Sequence, residues 1–214
     1  MAPNNEFHFY SIKSLTEHTG YRAANLLEMV EALEKVPESS IFYHTHQTFL
    51  QHHFLASEFS NDFALWVKDV LQNDALAEKL ANIDTNEFSS IEDIRQEIIA
   101  TVKSFIKRKT AENVPKDKVF HFLSARSFVF PTNQQATNLE EFVSVMKNIS
   151  INSIFFHYFI AHLRLGRKTN DFTFWIKNTL QNEKLAKQIA RLHPQMYTLN
   201  EMRSRIIDYC KEYI

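Results

Sequence analysis

Through most of the chain the apolar positions recur every three or four residues, the spacing that lays one face of an α-helix against a core. Leu26, Met29, Val30, Leu33 and Val36 keep that period, and so do Leu139, Phe142, Val143, Met146 and Ile149, 113 positions further on (139 − 26). Each run is entered by an asparagine with a glutamate three residues later, Asn25 with Glu28 and Asn138 with Glu141. That is a capping box in its asparagine version. These helices are predicted to stop near Pro37 and Ser150. A Ser-Ile-Phe-x-His stretch follows in both places, Ser40 to His44 and Ser153 to His157, and predicts further helices with serine as N-cap, running to about residues 56 and 165.

The closest recurrence comes next. Asn61, Asp62, Phe63 and Trp66 return as Asn170, Asp171, Phe172 and Trp175, 109 positions apart (175 − 66), each followed by lysine and by a Leu-Gln-Asn ending. The four-residue loss of register (113 − 109) falls between predicted helices, where an insertion is tolerated. Leu76, Leu80 and Ile83, and again Leu185, Ile189 and Leu192, predict a short helix. Ser90 with Asp93 and Thr198 with Glu201 mark the entry of a last one. Only Phe7 to Tyr10 and Phe120 to Leu123 alternate in the manner of a strand, over four residues each. The expectation is an all-α fold, an internally duplicated helical domain packed as a pseudo-two-fold pair, with room for one short strand per copy. Its first helical repeat spans 1–108, a polar linker 109–119, and a second repeat 120–214. A period above 100 residues is too long for a solenoid unit.

Composition narrows the function classes. With 214 residues and 44% hydrophobic content the chain can bury a real core, and its net charge of −1 lacks the basic excess of a dedicated nucleic-acid binder. The basic run from Lys107 to Lys118 reads as a helix end passing into a linker before it reads as an anion patch. Two glycines, Gly20 and Gly166, argue against phosphate-cradling loops and dinucleotide turns, which need several. No basic and apolar leader opens the chain and no apolar run reaches the ~18–20 residues of a membrane span. One cysteine, Cys210, cannot form an internal disulfide. A cytoplasmic protein without membrane or nucleic-acid partners is expected.

The Ser-Ile-Phe-Tyr-His stretch ending at His44, followed by Asn-Asp-Phe-Ala-Leu-Trp ending at Trp66, with the second occurrence of both, resembles the bacterial family of uncharacterised proteins called DUF5752. The resemblance covers nearly the whole chain. It implies a helical protein and carries no activity over.

Histidine is the candidate chemistry: ten residues, with His44, His46, His52 and His53 close together. Their separations do not place two ligands on one helix face in the i,i+4 manner of a zinc site, so no metal or cofactor is expected. His8 with His121 and His44 with His157 are the histidines that recur in position. The plainer reading is a buried, hydrogen-bonded ring that orients its neighbours. The sharper one puts His44, His157, Asp62 and Asp171 into a shared ligand site between the repeats. Asp62 and Asp171 suit a helix entry, and Trp66 and Trp175 suit a core stripe. No nucleophilic triad is visible and no catalytic residue is assigned. Taken together the residues favour a non-enzymatic binding or regulatory module, contacting a protein partner or small ligand between the repeats. The alternative is a small-molecule or metal-dependent enzyme using the His/Asp set.

Overall fold

Both strand-like entries run far beyond four residues. The computed structural model describes residues 5–47, 50, 61–106, 112–166, 169–192 and 196–214. In it β1 spans Phe7–Ala23 and β2 spans Phe120–Ala136, paired as a two-stranded antiparallel sheet. The all-α, internally duplicated helical pair is therefore corrected to a mixed α/β architecture. The reason lies in the exposure pattern. Phe7 and Phe9 alternate with exposed neighbours, but from Lys13 to Arg22 the side chains of β1 are exposed or half-buried on both faces, and Arg126 to Gln135 repeat this on β2. A ribbon wetted on both sides carries no apolar alternation for the sequence to display. Each strand also holds one left-handed residue, Gly20 at φ 82° and Asn133 at φ 58°, the residue types that tolerate that region.

The helices appear in the expected order. They are α1 (Leu26–Leu33), α2 (Glu38–Phe42), α3 (Asp62–Asp69), α4 (Asp74–Ala81) and α5 (Ile91–Phe105) before β2. After it come α6 (Leu139–Asn148), α7 (Ile151–Ile154), α8 (Ala161–Leu165), α9 (Asp171–Asn178), α10 (Glu183–Ala190) and α11 (Leu199–Lys211). Tyr43–Gln47 and Phe155–Ile160 are π-helical turns. Residues 51–60 and 107–111, including His52, His53 and part of the basic linker, lie outside the described residues.

The caps are local and follow the sequence. Asn25, Asn61, Asn138 and Asn170 each accept from the backbone N–H three residues on. Thr198 and Glu201 close a reciprocal box. The Leu-Gln-Asn ending acquires a reason. Gln72 and Gln181 turn the chain at φ 51° and 55°, and Asn73 and Asn182 cap the next helix. Ser40 and Ser153 are not caps. Pro37 and Ser150 hold those positions, which leaves both serines buried one turn inside the helix.

By contacts the chain forms two compact units, one of which is not a contiguous stretch. Of the described residues, one unit comprises those up to Lys13 and those from Ser127 on; the other comprises those from Ser14 to Arg126. The entry of β1 thus belongs to the unit of α6–α11, and the entry of β2 to the unit of α1–α5. In the first, Phe7 and Phe9 pack against Phe142, Phe172 and the His157 ring, at centroid separations of 4.9–6.4 Å. In the second, Phe120 and Phe122 pack against Phe63 and the His44 ring at 4.9–6.1 Å. Arg95 donates to the Leu33 carbonyl at the end of α1 and to that of Val36 beyond it, and Arg203 to the Ile149 carbonyl just after α6, satisfying groups that a helix terminus leaves open.

Burial of these rings makes the strand entries part of the core. Phe9→Ala and Phe122→Ala are each expected to lower unfolding free energy by about 3–5 kcal/mol, measured by urea denaturation. His121→Ala, exposed on β2, is expected to stay within about 0.5 kcal/mol of the parent.

Candidate functional site

The two recurrent histidines sit on the π-helical turns, which place each ring beneath a strand entry. His44 Nδ1 lies 2.8 Å from Asp62 Oδ2, and its Nε2 accepts the Leu123 backbone N–H at 2.9 Å. His157 Nδ1 lies 2.8 Å from Asp171 Oδ2, and its Nε2 accepts the Tyr10 N–H at 2.8 Å. A nitrogen that accepts from a backbone N–H carries no proton. Each ring is therefore held as the Nδ1–H tautomer, donating to its aspartate. Both rings are buried, and both nitrogens of each are occupied.

The rest of the Asn-Asp-Phe-x-x-Trp motif serves the same end. Asparagine caps the helix, and Asn61 also donates to the Leu80 carbonyl at 2.9 Å. Aspartate holds the imidazole, and phenylalanine underlies the strand phenylalanines. Tryptophan fixes the chain just ahead of each strand. Trp66 Nε1 donates to the Lys118 carbonyl at 2.8 Å and Trp175 Nε1 to the Asn5 carbonyl at 3.2 Å. Ser40 adds a contact that its reading as a cap had hidden, donating to the Leu123 carbonyl at 2.6 Å. Leu123 thus has both outward backbone groups taken by helix side chains, as a third strand would take them.

The structure brings together His44 with Asp62 in one unit, and His157 with Asp171 in the other. Each histidine is spent on the aspartate of its own unit. His8 and His121 are exposed on the strands, and His8 lies 3.4 Å from Glu6. Sequence reasoning passed over Arg164, whose guanidinium reaches Asp171 Oδ2 at 2.7 Å and stacks on Phe156 at 4.6 Å. Burial is the main cause that lowers the His157 pKa below the ordinary imidazole value, and Arg164 adds to it. The bond to Asp171 and its charge oppose the shift. Cys210 is buried and its thiol is pushed up to about 12 by burial, far from a reactive thiolate. Among the described residues no group of three or more His, Cys, Asp or Glu side chains is arranged to hold a metal ion, and no helix is long and apolar enough to cross a membrane.

Among the described residues an open cleft lies inside the unit of α6–α11. A cleft of about 620 Å³ runs between the strands and the α6–α7 turn, bordered by Ser11, Lys13, Phe130, Asn148 and Asn152. A smaller hollow of about 320 Å³ is lined by Ser144 and Val145 and shares Gln134, Asn148 and Ile149 with it. Ser11 Oγ and Ser150 Oγ meet at 3.1 Å on its wall, and Thr132 Oγ1 donates to the Phe9 carbonyl at 2.7 Å. No sequence motif announced it, because its residues come from separate elements and do not recur together.

The site and fold define a mixed α/β protein in which helix-borne His–Asp pairs hold the entries of a two-stranded sheet. The chain belongs to the family of unknown function DUF5752, whose model matches residues 4–211. The solved structure described as that of OrfY from Thermoproteus tenax is similar, with 26% sequence identity and a TM-score of 0.82 over 97% of this chain and 94% of that one. No curated protein matches the chain.

A buried imidazole with a depressed pKa ties stability to pH. The unfolded chain takes up the His157 proton near the ordinary value of about 6.5, whereas the folded chain resists until lower pH. The stabilisation is present above that value and is lost as pH falls through the folded value. His157→Ala is expected to destabilise at pH 7.5 by roughly 1–3 kcal/mol for each polar group it orphans. The gap between parent and variant should narrow on acidification from pH 7 to 5, read from denaturation midpoints; a constant gap would contradict the assignment.

Proposed function

We propose that this protein is a non-enzymatic binding module that takes a small polar ligand in the cleft bordered by Ser11, Lys13, Phe130 and Asn148. The observation that carries this reading is the cleft itself. Its volume, about 620 Å³, falls in the usual range of ligand sites, roughly 300–1,000 Å³. Its walls mix hydroxyl and amide groups with the Phe130 ring, as sites that orient a small molecule do. The His–Asp pairs support a non-catalytic role by a different route. General acid–base work needs a ring nitrogen within reach of substrate, and both nitrogens of His44 and His157 already have protein partners.

A second reading, self-association, rests on Phe128, Val129 and Phe130, consecutive on β2 and 51%, 50% and 45% exposed. Consecutive strand residues face opposite sides, so this apolar surface is divided between two faces and is the weaker argument. Sedimentation of the parent and of Phe128→Ser tests it: identical monomeric masses across concentration remove it.

The cleft reading is tested by thermal unfolding against a panel of small polar metabolites, neutral and charged. A ligand present at 100 times its Kd is expected to stabilise the fold by about 2.7 kcal/mol, on the order of 5–10 °C for a chain of this size. Asn148→Trp, which fills the cleft from an exposed position, should abolish that shift. Absence of any shift in the parent across the panel would sink the reading.

A further inference from the structure

The cleft is charged with one sign. Among the described residues Lys13 is the one ionisable group on its border, and no aspartate or glutamate lines the cleft or the adjoining hollow. Among the described residues Lys13 has no ion pair. The strand positions offset by 113 residues hold an ion pair instead. β1 and β2 correspond at an offset of 113 (120 − 7), so Lys13 corresponds to Arg126 and Phe130 to Glu17. There Arg126 Nη1 lies 3.6 Å from Glu17 Oε1. At the same two strand positions, one unit holds a cation with its carboxylate and the other holds a cation beside a phenylalanine.

We infer that the cleft of the α6–α11 unit selects an anionic ligand, a small carboxylate or phosphate ester, with Lys13 facing its charge and Phe130 its uncharged part. This rests on the cleft being a ligand site and adds the chemical class. The uncharged polar groups fit that class. The Ser11 and Ser150 hydroxyls are bonded to each other. One of them donates in that bond, so the other keeps a hydrogen to offer. Gln134, Asn148 and Asn152 supply amide N–H donors. A cation would meet Lys13 with no carboxylate to offset it. A neutral ligand would leave the ammonium without a counter-charge.

The chemistry of the walls also sets the form of the anion. Phe130 and Pro131 offer an apolar side to the cleft. An anion that carries a ring or short apolar body uses both this side and Lys13, whereas a bare inorganic ion uses the ammonium alone. Affinity should therefore rise from inorganic phosphate to phenyl phosphate. It should fall with ionic strength, since an exposed ammonium is screened by salt.

The test is calorimetric titration of the full chain, at low ionic strength, with inorganic phosphate, phenyl phosphate, benzoate and benzyl alcohol. At least one of phenyl phosphate and benzoate is expected to bind, at least tenfold more tightly than benzyl alcohol, and the preference between them separates a phosphate ester from a carboxylate. Lys13→Ala should weaken the anion at least tenfold, and Lys13→Glu should remove its binding. Lys13→Arg should retain it, and Arg126→Ala should leave it unchanged. Lys13 is exposed, and thermal unfolding of each variant confirms that it is folded. Equal binding of benzyl alcohol and the anions, or an affinity unmoved in Lys13→Ala, overturns the anion assignment while the cleft remains a ligand site. Failure of every probe to bind overturns it together with the cleft reading.

Discussion

A strand at the edge of a sheet has a row of backbone donors and acceptors with no partner, and a two-stranded sheet has two such edges. Here that exposed edge is met by side chains. The imidazoles of His44 and His157 accept from the Leu123 and Tyr10 N–H groups, and Asp62 and Asp171 hold the rings in the tautomer that can accept. A two-stranded ribbon alone is marginal in water. Docking its entries on helices through rings and buried hydrogen bonds is what makes the strands persist. Losing an imidazole would leave the strand N–H above it without its acceptor, at a cost above the net worth of a single bond. The dyads are thus coupled to the phenylalanines above them. The rings exclude water from the hydrogen bonds, and the hydrogen bonds set the depth at which the rings pack.

The helices were legible because local physics decides them. Asparagine caps, the Thr198–Glu201 box and the 3.6-residue stripes all act within a few residues, so the sequence displays them directly. The strands were not. Past residue 13 β1 is exposed on both faces, and no periodicity distinguishes such a ribbon from a loop. The compact units were hidden for a related reason. Phe7 and Phe9 read as a short strand belonging to the repeat that follows them, yet they pack with Phe142 and Phe172. Nothing local encodes which set of helices a strand entry will join.

The histidines illustrate a different limit. A buried ring with local partners was one of the readings their recurrence allowed; His44 and His157 are buried with such partners, whereas His8 and His121, which also recur, are exposed. What spacing could not show was that Asp62 and Asp171 are the partners, or that a strand N–H takes the second nitrogen. Ser40 was misread for the same reason: serine before an apolar run suits an N-cap, and only the strand above it shows where the hydroxyl goes. Arg164 falls between the recurrent motifs, seven residues past His157 and six before Asn170, so its place beside Asp171 had no signal.

These facts reverse the weight given to recurrence. Both units must hold a strand entry, so the residues that perform that task appear in both, and the Asn-Asp-Phe-x-x-Trp element is accounted for residue by residue without a ligand. Recognition has no such need to be present in each unit. It is more informatively sought where equivalent positions carry different chemistry on the same backbone frame. Lys13 and Phe130 against Arg126 and Glu17 are such a place, since the carboxylate beside the cation in one unit is replaced by a ring in the other. A cation left open beside an apolar wall costs little at an exposed strand position. It changes the charge that the neighbouring cleft presents, while the dyads and buried rings beneath stay as they are.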